Sequence, residues 1–163
     1  MSTTLVSIEE YLDTAYSPDR EYVDGIIVER NAGEFPHSNT QSNLIILLRA
    51  ALKNMYVLPE QRVRTKPGRT RIPDVCVAAA KPESGVLEAP PLMAVEILSR
   101  RDETSDVMEK LQEYADAGVS EIWLIDPIRR KAYRYAAGLF PVSSLSAPSL
   151  GVDLPLDAVF EGL

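Results

Sequence analysis

Two acids interrupt apolar, strand-like runs in this chain: Asp74 in "TRIPDVCVAAA" and Glu96 in "LMAVEILS". Period-two alternation puts Ile72, Asp74 and Cys76 on one face of the first run, and Ala94, Glu96 and Leu98 on one face of the second. A carboxylate among apolar neighbours is costly to ionise unless something pairs with it. If the two strands are neighbours, as their order suggests, Asp74 and Glu96 converge at the sheet face, and either one is protonated or a cation joins them. With a single cysteine, Cys76, and a single histidine, His37, any metal must be held mainly by carboxylates, which favours Mg²⁺ or Mn²⁺. The competing explanation is a pair of acids at the sheet edge bridged to nearby arginines.

Lys110 supplies a third part. It lies three residues after Val107 and four before Tyr114, on their stripe of the helix rather than on the opposite face, so it can reach back toward the carboxylates. Two acids, a divalent cation and a lysine make an apparatus for hydrolysing a phosphodiester, in which the ammonium orients water or offsets charge on the transferring group. Glu60, in the strand before Asp74, reaches toward the same point as an extra ligand or pairs with Arg62 or Arg71. His37 precedes a helix start, where it contacts a substrate phosphate or only helps the helix begin.

Charge is unevenly spread. The chain carries a net charge of -7, which argues against general nucleic-acid affinity. Residues 60–71 nevertheless hold Arg62, Arg64, Lys66, Arg69 and Arg71 against one acid, a local balance of +4 that leaves -11 for the rest. Alternation puts Arg62, Arg64 and Lys66 on one face, a stripe suited to a nucleic-acid backbone or to a solvated strand.

The elements that must position these groups follow from pattern and punctuation. A capping box at Ser7 and Glu10 predicts a short helix over roughly 7–16, and "EYVDGIIVER" predicts a hairpin turning at Asp24-Gly25. A second capping box, Ser38 with Gln41, predicts a helix of about fifteen residues with Leu44, Leu47, Leu48, Ala51 and Met55 on its apolar stripe. Three strand-like runs follow, "YVLPEQRVRT", "TRIPDVCVAAA" and "LMAVEILS", the first two paired antiparallel through "KPGR". Pro73 donates no ladder hydrogen bond, so the second run has an edge, a bulge or a bend beside Asp74. A helix over about 104–117 carries Val107, Leu111, Tyr114 and Ala115 on one face and stops at Gly118. The strand "EIWLIDP", the segment "KAYRYAAG", a loop at "PVSSLSAPSLG" and a short helix in "PLDAVFEGL" complete the chain.

At 163 residues, with 45% hydrophobic and 25% charged content, the chain reads as one soluble α/β or α+β domain, 1–163. No apolar run approaches a membrane span, and the first residues show no basic, apolar leader, which points to the cytoplasm.

"RIPDV", "AVEILS" and "EKLQEYADAGVSEIWLIDP", together with "SIEEYL" and "EYVDGIIVER", resemble the PD-(D/E)xK nuclease superfamily, and in particular the bacterial Uma-two family of restriction-endonuclease-like proteins. The resemblance implies a restriction-endonuclease-like core, a mixed β-sheet flanked by helices, preceded here by the N-terminal helix and hairpin. It implies Mg²⁺ bound by Asp74 and Glu96. The superfamily's usual lysine place, two residues after the second acid, is Leu98 here, and Lys110 matches the helix-borne lysine of the family. Glu21 matches an acid in the family's "EYVDG"-like segment, although hairpin edge charge also explains it. The expected function is a Mg²⁺-dependent DNA endonuclease. The alternatives are a catalytically inactive metal- or nucleic-acid-binding or assembly protein of the same fold, and a hydrolase of a small phosphorylated substrate. Exposed strand edges make a homodimer reasonable.

Overall fold

The computed structural model describes residues 4–31 and 33–163. The first helix, α1 (Ile8–Asp13), starts at Ser7, whose hydroxyl accepts from the Glu10 N–H as the capping box predicts. Strands β1 (Glu21–Val23) and β2 (Ile26–Val28) pair across Asp24 and Gly25, both at positive φ, the backbone a tight two-residue hairpin requires.

Helix α2 (Phe35–Ala51) begins earlier than the capping box suggested. Pro36 lies in its first turn, where a missing N–H costs nothing and the fixed φ favours the helix. The Ser38 N–H is consumed by the Glu34 carbonyl, so Ser38 is interior rather than a cap. Gln41 is thereby released for another partner. The buried stripe is Leu44, Leu48 and Leu52, while Ala51 is exposed, because the register that buries Leu48 puts position 52 rather than 51 on the core side.

The next two strand-like runs each divide in two. The first gives β3 (Tyr56–Pro59) and β4 (Arg62–Lys66), separated by Glu60 at φ 51; the second gives β5 (Arg69–Arg71) and β6 (Val75–Ala78), separated by residues 72–74 around Pro73. β4 pairs antiparallel with β5 across the "KPGR" turn, and β3 with β6, so one long hairpin bends from one sheet into another. Alternation misses the bend because it sees a single continuous strand on each side.

β7 (Val86–Leu87) and β8 (Met93–Ile97) precede helix α3 (Thr104–Asp116), which buries Val107, Leu111 and Tyr114 and ends before Gly118 at φ 96. β9 (Glu121–Asp126) is buried along its whole length, including Trp123, and lies parallel to β8, with α3 as the crossover. β10 (Lys131–Tyr135) and β11 (Leu139–Val142) follow. The segment expected to be a loop, 141–151, instead forms β12 (Ser144–Ala147) and a 3₁₀ turn, followed by β13 (Val152–Pro155) and α4 (Leu156–Val159). Its serines alternate with Leu145 and Ala147, which point into the core opposite Val152 and Leu154, so packing overrides a loop-like composition.

Among the described residues the strands form a five-stranded sheet, β2-β1-β5-β4-β7, a six-stranded sheet, β11-β10-β9-β8-β6-β3, and the β12-β13 hairpin. The larger sheet is mixed and flanked by helices. The main core lies on its α2 face, where Leu44 and Leu48 meet Val75, Val95, Trp123 and Ile125. A second core holds Ala94, Ile122 and Leu124 against Val107, Leu111 and Tyr114 of α3. Among the described residues no helix is long and apolar enough to cross a membrane.

Candidate active site

The register of β6 against β8 sets Val75 opposite Val95. One residue beyond that pair stand Asp74 and Glu96, both buried, at the adjoining ends of the two strands. The sheet-switching bend places Asp74. Gln41 Nε2 donates to its main-chain carbonyl at 2.9 Å, and the Glu60 N–H does so at 3.3 Å, so α2 and the second arm of the bend both pin the loop.

Each carboxylate oxygen has a donor. Asp74 Oδ2 accepts from the Ile97 N–H at 2.7 Å; Oδ1 accepts from Arg30 at 3.0 Å and lies 3.2 Å from His37 Nε2. Glu96 Oε1 accepts from the Tyr114 hydroxyl at 2.6 Å, and Oε2 from Lys110 Nζ at 3.2 Å. Lys110 Nζ is also 3.0 Å from Glu21 Oε1, which accepts from the Ile72 N–H at 3.1 Å. Glu21 therefore ties the lysine of α3 to the backbone of the bend that carries Asp74. Its other oxygen accepts from Arg71, which in turn donates to Glu113 on α3.

The electrostatics separate the two acids. Burial works to raise the Asp74 carboxyl, but the hydrogen bond and charge of His37, the Ile97 N–H and Lys110 together hold it below the usual value. Glu96 is pushed up to about 7 by burial, reinforced by the charges of Asp74 and Glu21 against the opposing pull of Lys110 and the Tyr114 hydroxyl. Burial lowers the Lys110 pKa, yet Glu96, Glu21 and Asp74 outweigh it and hold the ammonium firmly protonated. For His37, too, burial is outweighed by Asp74, and its pKa rises.

These groups open onto a cleft of about 430 Å³. Of the residues singled out in the sequence, Asp74, Glu96, Lys110, Glu21, His37 and Arg71 line it. The Glu60 side chain is half exposed and approaches the group through Arg30, 3.6 Å away. The basic segment is matched within the chain: Arg62 pairs with Asp19 and lies over the Tyr11 ring, Arg64 pairs with Glu88, and Arg69 with Asp24, Glu109 and Glu113. Lys66 is exposed.

Three participants were not read as such from the sequence. Tyr114 was assigned to the apolar stripe, and its place one turn after Lys110 is the signal that it shares the lysine's target. Arg30 ends the hairpin and Gln41 belonged to the supposed capping box, and neither position signals a partner in a distant segment.

The donor set fits a hard divalent cation. Among the described residues no three His, Cys, Asp or Glu side chains gather into a metal cage. Two carboxylates beside an open cleft are what Mg²⁺ commonly takes from a protein, with water and phosphate oxygens completing its shell.

The family model described as Uma2, putative restriction endonuclease, matches residues 8–159. The chain belongs to the Uma2 family. The crystal structure of a putative nuclease belonging to DUF820 from Anabaena variabilis is similar to it with a TM-score of 0.82 at 21% identity, over 95% of this chain and 97% of that one, and so shares its fold. No curated protein matches the chain. In this Uma2 chain Leu98, at the superfamily's usual lysine place, packs with the α3 core cluster, and the ammonium beside Glu96 comes from Lys110 on α3.

Proposed function

We propose that this cleft hydrolyses phosphodiester bonds of DNA with Mg²⁺ or Mn²⁺, with Asp74 and Glu96 holding the ion. The observation that carries the reading is the junction of these two buried acids with Lys110, 3.2 Å from Glu96, on an open cleft in a Uma2 chain. Bound there, the ion would offset phosphate charge and acidify water.

The chain's own groups have distinct tasks. Asp74 stays ionised near neutral pH, and Glu96, at about 7, ionises readily once positive charge arrives. Lys110 keeps its proton and so serves as a fixed positive charge that steadies developing negative charge or orients water, not as a general base. Glu21 and Tyr114 hold Lys110 and Glu96 in place. The cleft is acidic like the chain as a whole, with eight carboxylates in its lining against Arg30, Arg71, Arg101 and Lys110, so attraction of a DNA strand would rest on the bound ion and on these four cations.

The test is incubation with single-stranded, double-stranded and branched DNA in Mg²⁺ or Mn²⁺. Cleavage is expected, and its loss in Asp74→Asn and Lys110→Met; undiminished cleavage by Asp74→Asn overturns the assignment. One observation favours a second reading, a non-catalytic binding protein: every oxygen of Asp74 and Glu96 already accepts from a donor within the chain. Its signature is calorimetric Mg²⁺ binding without turnover of any nucleic acid, and a nucleotide panel separates both from hydrolysis of a small phosphorylated substrate.

A further inference from the structure

Asp74 offers its two oxygens unequally. Oδ2 is held at 2.7 Å by the N–H of Ile97, a backbone donor in β8 that cannot turn away without breaking the strand. Among the described residues Oδ1 is held only by side chains, Arg30 at 3.0 Å and His37 at 3.2 Å. A cation entering the cleft therefore competes for Oδ1, and its charge repels the guanidinium already there.

Among the described residues the Arg30 side chain has no other hydrogen-bond partner. Glu60 is 3.6 Å away, beyond hydrogen-bond length, and both Arg30 and His37 line the cleft. Arg71 provides the internal contrast. It is also a cleft-lining arginine, but Glu21 and Glu113 together take its Nε and both terminal nitrogens, leaving it little to offer a ligand. Lys110 is likewise shared between Glu21 and Glu96. A guanidinium released from one oxygen presents a planar fork that matches a phosphate.

We propose that Arg30 and His37 are an exchangeable pair, which hold Asp74 Oδ1 in the ion-free site and pass to a phosphate of the nucleic-acid strand when a divalent ion takes that oxygen. The proposal rests on the metal-dependent nuclease reading and adds to it the residues that bind the substrate's phosphate. It makes the ion and the strand bind with positive coupling, because the ion frees the cations that the phosphate needs. It also gives Arg30 effects of opposite sign on the two ligands, which a merely structural arginine does not have.

The experiment measures Mn²⁺ binding by calorimetry, and binding of fluorescein-labelled single-stranded and duplex DNA by anisotropy in Ca²⁺ with cleavage monitored on a gel. In Arg30→Gln, Mn²⁺ is expected to bind several-fold tighter, since its competitor is gone, while DNA binds about tenfold more weakly, the loss of one charge-assisted contact. Arg30→Lys restores part of the DNA affinity. His37→Gln shifts both ligands in the same directions and serves if Arg30→Gln does not fold, with thermal unfolding as the check. Weaker Mn²⁺ binding in the folded variants, or unchanged DNA affinity, overturns the proposal. If the wild-type chain binds neither Mn²⁺ nor DNA, the nuclease reading itself fails and the proposal falls with it, a result seen before any variant is made.

Discussion

Glu96→Gln should flatten the dependence of stability on pH. Moving this carboxyl from its ordinary value of 4.5 to about 7 corresponds to on the order of 3 kcal/mol, at about 1.4 kcal/mol per pH unit. Folded Glu96 holds its proton to higher pH than an unfolded glutamate does. Between pH 4.5 and about 7 the folded chain therefore binds more protons, and stability falls as pH rises through that window. Asp74 acts in the other direction and elsewhere: its lowered value contributes stability above 3.8 that is lost as pH falls further. His37, with its pKa raised from 6.5, contributes stability at low pH that is lost as pH rises through its folded value, but it is present in both proteins and drops out of the comparison. Glutamine loses the charge and sets an amide beside Lys110, an offset that stays constant while the lysine remains protonated. The quantity to read is thus the change with pH. Urea unfolding from about pH 4.5 to about pH 8 should show the variant gaining on the order of 3 kcal/mol over the wild type. Mg²⁺ should recover much of that difference at the upper end by stabilising the ionised wild-type site. Parallel profiles, differing by a constant, would refute the claim that burial beside Asp74 and Glu21 opposes ionisation of Glu96.

Three further substitutions probe the supporting contacts. Tyr114→Phe removes the hydroxyl that donates to Glu96 at 2.6 Å, which should cost about 1–3 kcal/mol in urea unfolding and move the Glu96 titration, followed by carboxyl NMR, above about 7. Arg71→Met leaves Glu21 and Glu113 buried without their shared arginine and should cost about 3–5 kcal/mol, with less than additive loss when combined with Glu113→Gln in a double-mutant cycle. Gly25→Ala puts a side chain at φ 90, with its Cβ 3.1 Å from Leu5, and should lower stability by about 1–2 kcal/mol without altering Mn²⁺ binding.

Much of the site was legible because its parts lie on elements with strong local signals. Alternation and chain order put Asp74 and Glu96 on neighbouring strands, and helical spacing put Lys110 over them. The start of α2 was misplaced because a serine and glutamine three apart resemble a cap wherever they fall, whereas Pro36 fixes the first turn. The divided strands were not visible because Glu60 at positive φ follows no residue rule, and Pro73 signals a break without saying which sheet each half joins.

The sequence by itself carried the motifs of the family, whose resemblance implied the mixed sheet with its flanking helices, and its periodicity brought two acids and a lysine toward one point. Only the tertiary structure decided how charge is shared. Arg30, Gln41 and Tyr114 reach Asp74 or Glu96, and Arg62, Arg64, Arg69 and Arg71 each find an acid at least 24 positions away in the chain or on a separate element. A side chain's periodicity fixes the direction it points, but its partner is set by which segment the fold brings opposite, and no local pattern encodes that.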